Sequence, residues 1–274
     1  MVRATEVVGT YVADQSRIVK GSYDLVLDDA PDAIHAARVA SRRLRSTLST
    51  YGPLWLGGQG KVRRQLAWYA RLLGTSRDLE VVSAWIADLQ GDRGPAGTTS
   101  SDLEALQEHA LTRREAALTT LRRELTRDRF EALATLLQPR GWAPLAEVPA
   151  DQILPRMAQA QVLRLHAEVV SLPKDAGRVD AIHQVRKTAK LVRYAYEVLG
   201  QAAAADVAYW KRVTEALGVA QDAAVATCVV SDLRERYPGS VQSWDGVDAV
   251  FSTRAAAAEA EGLGLIVAAG PSTA

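Results

Sequence analysis

Two short segments of the sequence carry histidine, arginine and lysine at the same spacing. In each segment a histidine is followed by basic residues three, seven and ten positions later. The first basic stripe consists of His35, Arg38, Arg42 and Arg45, and the second basic stripe consists of His183, Arg186, Lys190 and Arg193. On a helix that turns about 100° per residue, these positions fall within an arc of roughly 80°. Each segment therefore predicts a helix with one basic face, which is suited to binding anions.

The chain around the first stripe is almost uniformly positive. Positions 32 to 77 contain nine arginines and lysines but a single acidic residue, Asp32. A solvated helix face is the alternative interpretation, but such a face normally mixes charges of both signs. Like charges at this density are costly unless an anion neutralises them, and the planar arginine fork suits phosphate oxygens. The pattern thus favours a site for a phosphate-bearing polyanion.

Residues near the two stripes suggest supporting roles. We expect both histidines in the first turn of their helices, where free backbone N–H groups favour anions, although a packing role for them is the alternative. Asp78 and Asp222 each follow a glycine, Gly74 or Gly218, by four residues. They could orient the arginines, but we expect them to cap helices, since aspartate near a helix start needs no special context.

The two stripes belong to a longer internal repeat. Asp32 to Arg45 reads DAIHAARVASRRLR, and Asp180 to Arg193 reads DAIHQVRKTAKLVR. A second signal, Leu-Gly followed by Asp, comes later in each half and in the same order. A repeat of this kind indicates two copies of one structural unit. We predict two helical-bundle repeats, residues 1–140 and 141–274.

The helical spacing of apolar residues and the positions of Gly and Pro predict an all-α protein without substantial sheet. Gly and Pro cluster between stretches rich in Ala, Leu, Arg and Glu, which is typical of helices joined by loops. Breaks are expected near Gly74 and Gly218. The predicted helices cover residues 4 to 27, 31 to 50, 60 to 90, 101 to 137, 151 to 171, 178 to 199, 203 to 235 and 246 to 265.

Composition limits the classes of function. The formal net charge of the 274 residues is only +1, so any polyanion site must arise from local segregation of charge. The single Cys228 excludes an internal disulfide framework and suits a reducing compartment. We find no run of about 18 apolar residues and no signal-peptide pattern at the N-terminus. A cytoplasmic protein without a membrane partner is therefore expected.

With these motifs in place, the chain resembles the CHAD family, the conserved histidine α-helical domain. The resemblance rests on both stripes and on the later segments Ala70 to Val81 and Glu215 to Asp222. It implies two helical bundles related by pseudo-twofold symmetry, with a basic cleft or pore that binds inorganic polyphosphate, and polyphosphate granules as a further partner. The implied polyphosphate-binding residues are His35, Arg38, Arg42, Arg43, Arg45, Arg64, Arg71, His183, Arg186, Lys187, Lys190 and Arg193.

Two other functions compete with this interpretation. A nucleic-acid-binding protein could use the same basic surface, but the stripe helices offer few aromatic or amide side chains for reading or stacking bases. An enzyme could transfer or hydrolyse phosphate through a histidine, but such chemistry usually needs metal-held carboxylates, and the stripes carry no acidic cluster. We therefore expect a binding protein that is not an enzyme and has neither cofactor nor metal, and we rank nucleic acid below polyphosphate.

Overall fold

A computed structural model of the protein describes residues 2–91, 98–138, 143–144, 147–236 and 241–270. Helices make up nearly all of these residues, as the sequence predicts. They are α1 (Ala4–Lys20), α2 (Tyr23–Leu27), α3 (Ala33–Thr50), α4 (Gln59–Leu72), α5 (Gly74–Gly91), α6 (Ser100–Glu124), α7 (Arg127–Leu136), α8 (Ala150–Val170), α9 (Arg178–Val198), α10 (Ala204–Arg236) and α11 (Val241–Ala269). Two-residue strands β1 (Trp55–Leu56) and β2 (Ala143–Pro144) form one antiparallel pair. The all-α prediction is confirmed.

Some predicted boundaries differ from the observed ones. The break near Gly74 is present, but α10 runs through Gly218 without interruption, so the break predicted there is wrong. Glycine lowers helix propensity by only about 1 kcal/mol, which packing along a long helix can offset. Two breaks were not predicted: one between α1 and α2 at Gly21, and one between α6 and α7 at Leu125 and Thr126.

Three apolar clusters hold the helices together. The first lies mainly among α1, α3, α4 and α7 and contains Val8, Leu44 and Tyr69. The second joins α5 and α6 to α10 and α11 and includes Phe251. The third packs α8 and α9 against α10 and α11 and includes Ile266. Because α3 and α9 each bury one apolar face in these clusters, their basic residues must occupy the remaining faces.

Helix α10 connects two of these clusters. One segment, Gly200–Glu235, has the length and mean hydropathy, 1.3, of a membrane span, although we found no continuous apolar run there in the sequence. Alanine and valine raise its average hydropathy, yet Val213 packs in the third cluster and Val230 in the second. Helices α10 and α11 pack so closely that a Cβ atom at Gly262 of α11 would lie 2.7 Å from the side chain of Leu217 on α10. Part of the apolar character of α10 is thus accounted for by the core of the protein.

Candidate functional site

The two basic stripes meet across the contact between α3 and α9. Burial lowers the pKa of Arg42 to about 10, and the nearby charges of Arg38 and Arg186 lower it further. Lys190 is surrounded in the same way: burial takes its pKa well below the usual value, and Arg186 and Arg42 add to the effect. Charges from the first stripe therefore act directly on charges of the second. The repeat brings its two copies together into one basic region.

Two adjoining cavities open beside this region. The first cavity, of about 400 Å³, lies between the stripes and is lined by Arg42, Arg45, Ser46, Ser49, Arg63, Arg164, His183, Gln184, Arg186, Lys187, Lys190, Leu191 and Tyr194. The second cavity, of about 390 Å³, lies toward α4 and α5 and is lined by Arg38, Arg42, Arg45, Ala67, Ala70, Arg71, Gly74, Thr75 and Asp78. Arg42 and Arg45 line both, so the two cavities are neighbours on either side of these side chains.

Corresponding residues of the two halves make different contacts. Arg38 Nη1 donates a hydrogen bond of 2.6 Å to Asp78 Oδ1, and only 14% of the Arg38 side chain is exposed. Asp78 therefore orients an arginine from within α5, and the expectation that it caps a helix is wrong. In the second half, Arg186 and Asp222 form no such ion pair among the described residues. Burial raises the pKa of Asp222, although the charge of Arg186 favours its carboxylate form.

Three basic side chains at the centre of the region lack a direct ion-pair partner among the described residues, although the carboxylates of Asp78 and Asp222 lie within electrostatic range. Within the described part of the chain, Arg42, Arg186 and Lys190 make no hydrogen bond or ion pair, and Nε of Arg186 is buried without a partner. Burial lowers the pKa of Arg186, which the charge of Asp222 opposes. Partly buried cations without partners lose hydration and gain little in return. The region is therefore suited to binding anionic groups.

The two histidines lie at different depths in their helices. His35 is the third residue of α3, in the first turn as expected, but α9 begins at Arg178 and places His183 in its second turn, so that expectation is wrong for His183. Burial lowers the pKa of both rings. The Nδ1 atom of His183 lies 3.2 Å from Oε1 of Gln221. When Nδ1 carries the proton, this hydrogen bond leaves Nε2 free to accept a hydrogen bond.

Arg43 and Arg193 are committed to internal ion pairs. Nε of Arg43 donates to Oε2 of Glu197 at 2.7 Å, and Nε of Arg193 donates to Oε1 of the same carboxylate at 3.1 Å. The hydroxyl of Tyr11 also donates to Glu197. Although burial opposes it, this carboxylate raises the pKa of Arg43. Neither arginine lines the two cavities, so the structure sets them apart from the predicted binding residues that do.

The remaining predicted residues divide in a similar way. Arg71 and Lys187 are exposed and line a cavity, whereas Arg64 is exposed and lines neither. The structure adds two lining arginines that we did not select. Arg63 lies in the basic segment 32 to 77, so a signal for it existed; Arg164 comes from α8, outside both stripes, and nothing in the repeat points to it.

The chain is similar to known proteins in sequence and in structure. The sequence profile of the CHAD domain matches residues 11–231. The structure is similar to PptA from Streptomyces chartreusis, with 21% identity, a TM-score of 0.76, and coverage of 97% of this chain and 99% of that one. It is also similar to the crystal structure of the CHAD domain from the plant Ricinus communis, with 20% identity, a TM-score of 0.71, and coverage of 96% and 92%. No curated protein matches the chain.

Proposed function

The chain belongs to the CHAD domain family, and from this premise we propose that it binds inorganic polyphosphate in the two basic cavities. The observation that supports the proposal is the convergence of Arg42, Arg186 and Lys190, which form no hydrogen bond or ion pair among the described residues. A polymer with a negative charge on every unit supplies counterions at short, regular intervals. Arginine forks and the lysine ammonium group can then each bind a different phosphate.

The shape of the site suits a chain more than a single ion. Since Arg42 and Arg45 line both cavities, a polyphosphate chain that enters beside Lys187 and His183 can continue past them toward Arg71. Burial lowers the pKa of Arg45, and Arg63 and Arg71 lower it further, which shows how close these charges lie. Successive phosphates along one chain would offset that repulsion.

Nucleic acid remains the second candidate, ranked lower. Tyr194 is the one Phe, Tyr or Trp residue in the lining of the two cavities, and only 5% of it is exposed, so it offers no platform on which bases could stack.

We propose binding without transfer or hydrolysis of phosphate. Asp78 is the carboxylate in the lining, and it is engaged by Arg38. We propose a cytoplasmic binding protein that works without metal or cofactor and can associate with polyphosphate granules.

Titration of the purified chain with long-chain polyphosphate in chelator tests the proposal. Affinity should fall steeply between 50 and 200 mM salt, by a factor on the order of 10³ if about six phosphates are neutralised. Arg42→Ala should weaken binding about ten-fold or more, the cost of losing a charge-assisted contact. The control Arg17→Ala removes an arginine whose side chain is 77% exposed on α1, and should change little.

A competition experiment separates polyphosphate from nucleic acid. Unlabelled polyphosphate should displace labelled polyphosphate at far lower phosphate concentration than RNA does at the same salt. Stronger displacement by RNA would favour the second candidate. Equal effects of Arg42→Ala and Arg17→Ala would mean that polyphosphate binds elsewhere on the protein.

A further inference from the structure

A third cavity, of about 510 Å³, lies among α4, α5 and α6 and differs in character from the two basic ones. Its lining consists of Trp68, Arg71, Leu72, Thr75, Leu79, Arg113, Ala116, Ala117, Thr120, Leu121 and Glu124. More than half of these residues are apolar. The guanidinium of Arg129 lies over the Trp68 ring, 3.9 Å from its centroid, and helps to hold the indole in place. A cavity of this size and composition is typical of sites for small organic ligands.

This third cavity adjoins the second basic cavity. Arg71 and Thr75 line both, so the two cavities are neighbours along these residues. Arg38, Arg42 and Arg45 line the second cavity on the far side of that boundary. A ligand that bridges the boundary must therefore have a phosphate part and an uncharged organic part joined end to end.

The charges of the third cavity disfavour a longer run of polyphosphate. Arg113 forms an ion pair with Asp232, and Glu124 adds a carboxylate to the lining. A carboxylate repels phosphate but accepts hydrogen bonds from an exocyclic amino group. Trp68 and Leu72, which are partly exposed, provide apolar surface for a flat ring. An aromatic heterocycle that carries an amino group fits this lining.

We propose that the third cavity binds the base of a purine nucleotide whose phosphate chain lies among Arg38, Arg42, Arg45 and Arg71. The protein then recognises nucleoside triphosphates as well as inorganic polyphosphate, and the two ligands compete for the second basic cavity. This inference rests on the proposed phosphate-binding role of those arginines. The base adds binding energy that an inorganic chain of the same length lacks.

The test compares ATP with inorganic tripolyphosphate by calorimetry at equal salt without divalent metal. Tripolyphosphate is at least as highly charged, so electrostatic attraction alone cannot favour ATP. Stacking of one base predicts an affinity for ATP about ten-fold higher. Ala116→Phe fills the third cavity from an exposed position on α6 and should remove this advantage. Thr119→Phe places the same ring on an exposed residue outside the cavity lining and should retain it.

A second pair of variants checks the aromatic surface. Trp68→Leu should reduce ATP affinity without changing affinity for long-chain polyphosphate. Its control is Trp85→Leu, since Trp85 is also half-buried beneath an arginine, Arg254, but lies in the second apolar cluster. ATP binding no tighter than tripolyphosphate, or an ATP advantage that survives Ala116→Phe, overturns the inference.

The same measurements distinguish this inference from the proposed function. If long-chain polyphosphate does not bind the wild-type protein but ATP does, and Ala116→Phe abolishes ATP binding, the proposed polyphosphate function fails and the base site stands. If polyphosphate binds as expected and ATP shows no advantage, only the base site is lost.

Discussion

A guanidinium or ammonium group that is half-buried beside like charges is under electrostatic strain. Arg42, Arg186 and Lys190 are in this position, and within the described residues none of them has an ion pair. Their depressed pKa values express the same fact, because loss of a proton is the response available to a crowded cation. Binding of phosphate supplies the opposite charge and favours the protonated forms. Affinity and protonation are thus linked at this site.

The linkage between binding and protonation can be measured at Lys190. Its pKa is well below 10.5 in the free protein, and bound phosphate should raise it. Between the lowered and the raised value, binding takes up a proton, so affinity for polyphosphate should fall as pH rises through that window. Calorimetry at a series of pH values below 10.5, in two buffers of different ionisation enthalpy, measures the number of protons taken up.

Substitutions test whether Lys190 is the group responsible. Lys190→Gln should bind polyphosphate more weakly and take up fewer protons, while Lys187→Gln, which alters an exposed lysine of the same cavity, should keep the proton uptake. The explanation fails if Lys190→Gln takes up as many protons as wild type.

For a single side chain, the sequence predicts which face of a helix it occupies but not which residues it contacts. The spacing of His35, Arg38, Arg42 and Arg45 follows from helical geometry alone. That Arg43 and Arg193 converge on Glu197 depends on how α3 packs against α9, which no local pattern specifies. Arg164 was missed for the same reason, since it reaches the cavity from α8.

Helices were the most predictable elements, because long amphipathic stretches leave few alternatives. The predicted and observed starts of α8 and α9 agree within a residue, and α5 begins at Gly74 as expected. A single glycine is a weaker signal than a long amphipathic stretch. Gly218 was expected to break α10, but neighbouring residues of α10 pack in two clusters and keep the helix continuous.

The carboxylate of Glu197 joins three helices, α1, α3 and α9. It lies on α9, bonds Arg193 of the same helix, and accepts hydrogen bonds from Tyr11 of α1 and Arg43 of α3. Glu197→Gln would leave two partly buried arginines uncompensated. Removing one partner of a buried ion pair typically costs about 3 to 5 kcal/mol, and because these arginines are partly hydrated we expect the free energy of unfolding to fall by roughly 2 to 3 kcal/mol.

Urea unfolding of two variants measures this contribution. Glu215→Gln is the control, because Glu215 pairs with Lys211 at a site where both side chains are more than half exposed, and such pairs contribute less than about 1 kcal/mol. Similar small losses for both variants would show that the Glu197 network is no stronger than a surface pair.

Over the whole molecule, duplication places two related helices face to face. The division at residues 1–140 and 141–274 remains a prediction, but the structure shows the result at the site: α3 and α9 bring Arg42 within electrostatic range of Arg186 and Lys190. One polymer can then contact both stripes at once. After the first stripe has bound, the second meets the same chain at a high effective concentration.

This arrangement predicts that affinity depends on polymer length. Orthophosphate and tripolyphosphate should bind weakly, whereas chains of tens of phosphates should bind more tightly by up to ~10² to 10⁴. The variant Arg38→Ala with Arg42→Ala disables the first stripe and should erase most of this preference. Arg186→Ala with Lys190→Ala should do the same if both halves take part. Titration of wild type and both double variants with short and long chains measures the effect.

The outcome for the second double variant decides what duplication contributes. Loss of length dependence in both variants means that each stripe holds part of one chain, as the shared lining of the two cavities predicts. If Arg186→Ala with Lys190→Ala keeps the full preference for long chains, the second stripe does not bind the polymer. Its helix then serves to support α3, and the positive charge of Arg186 and Lys190 would need another explanation.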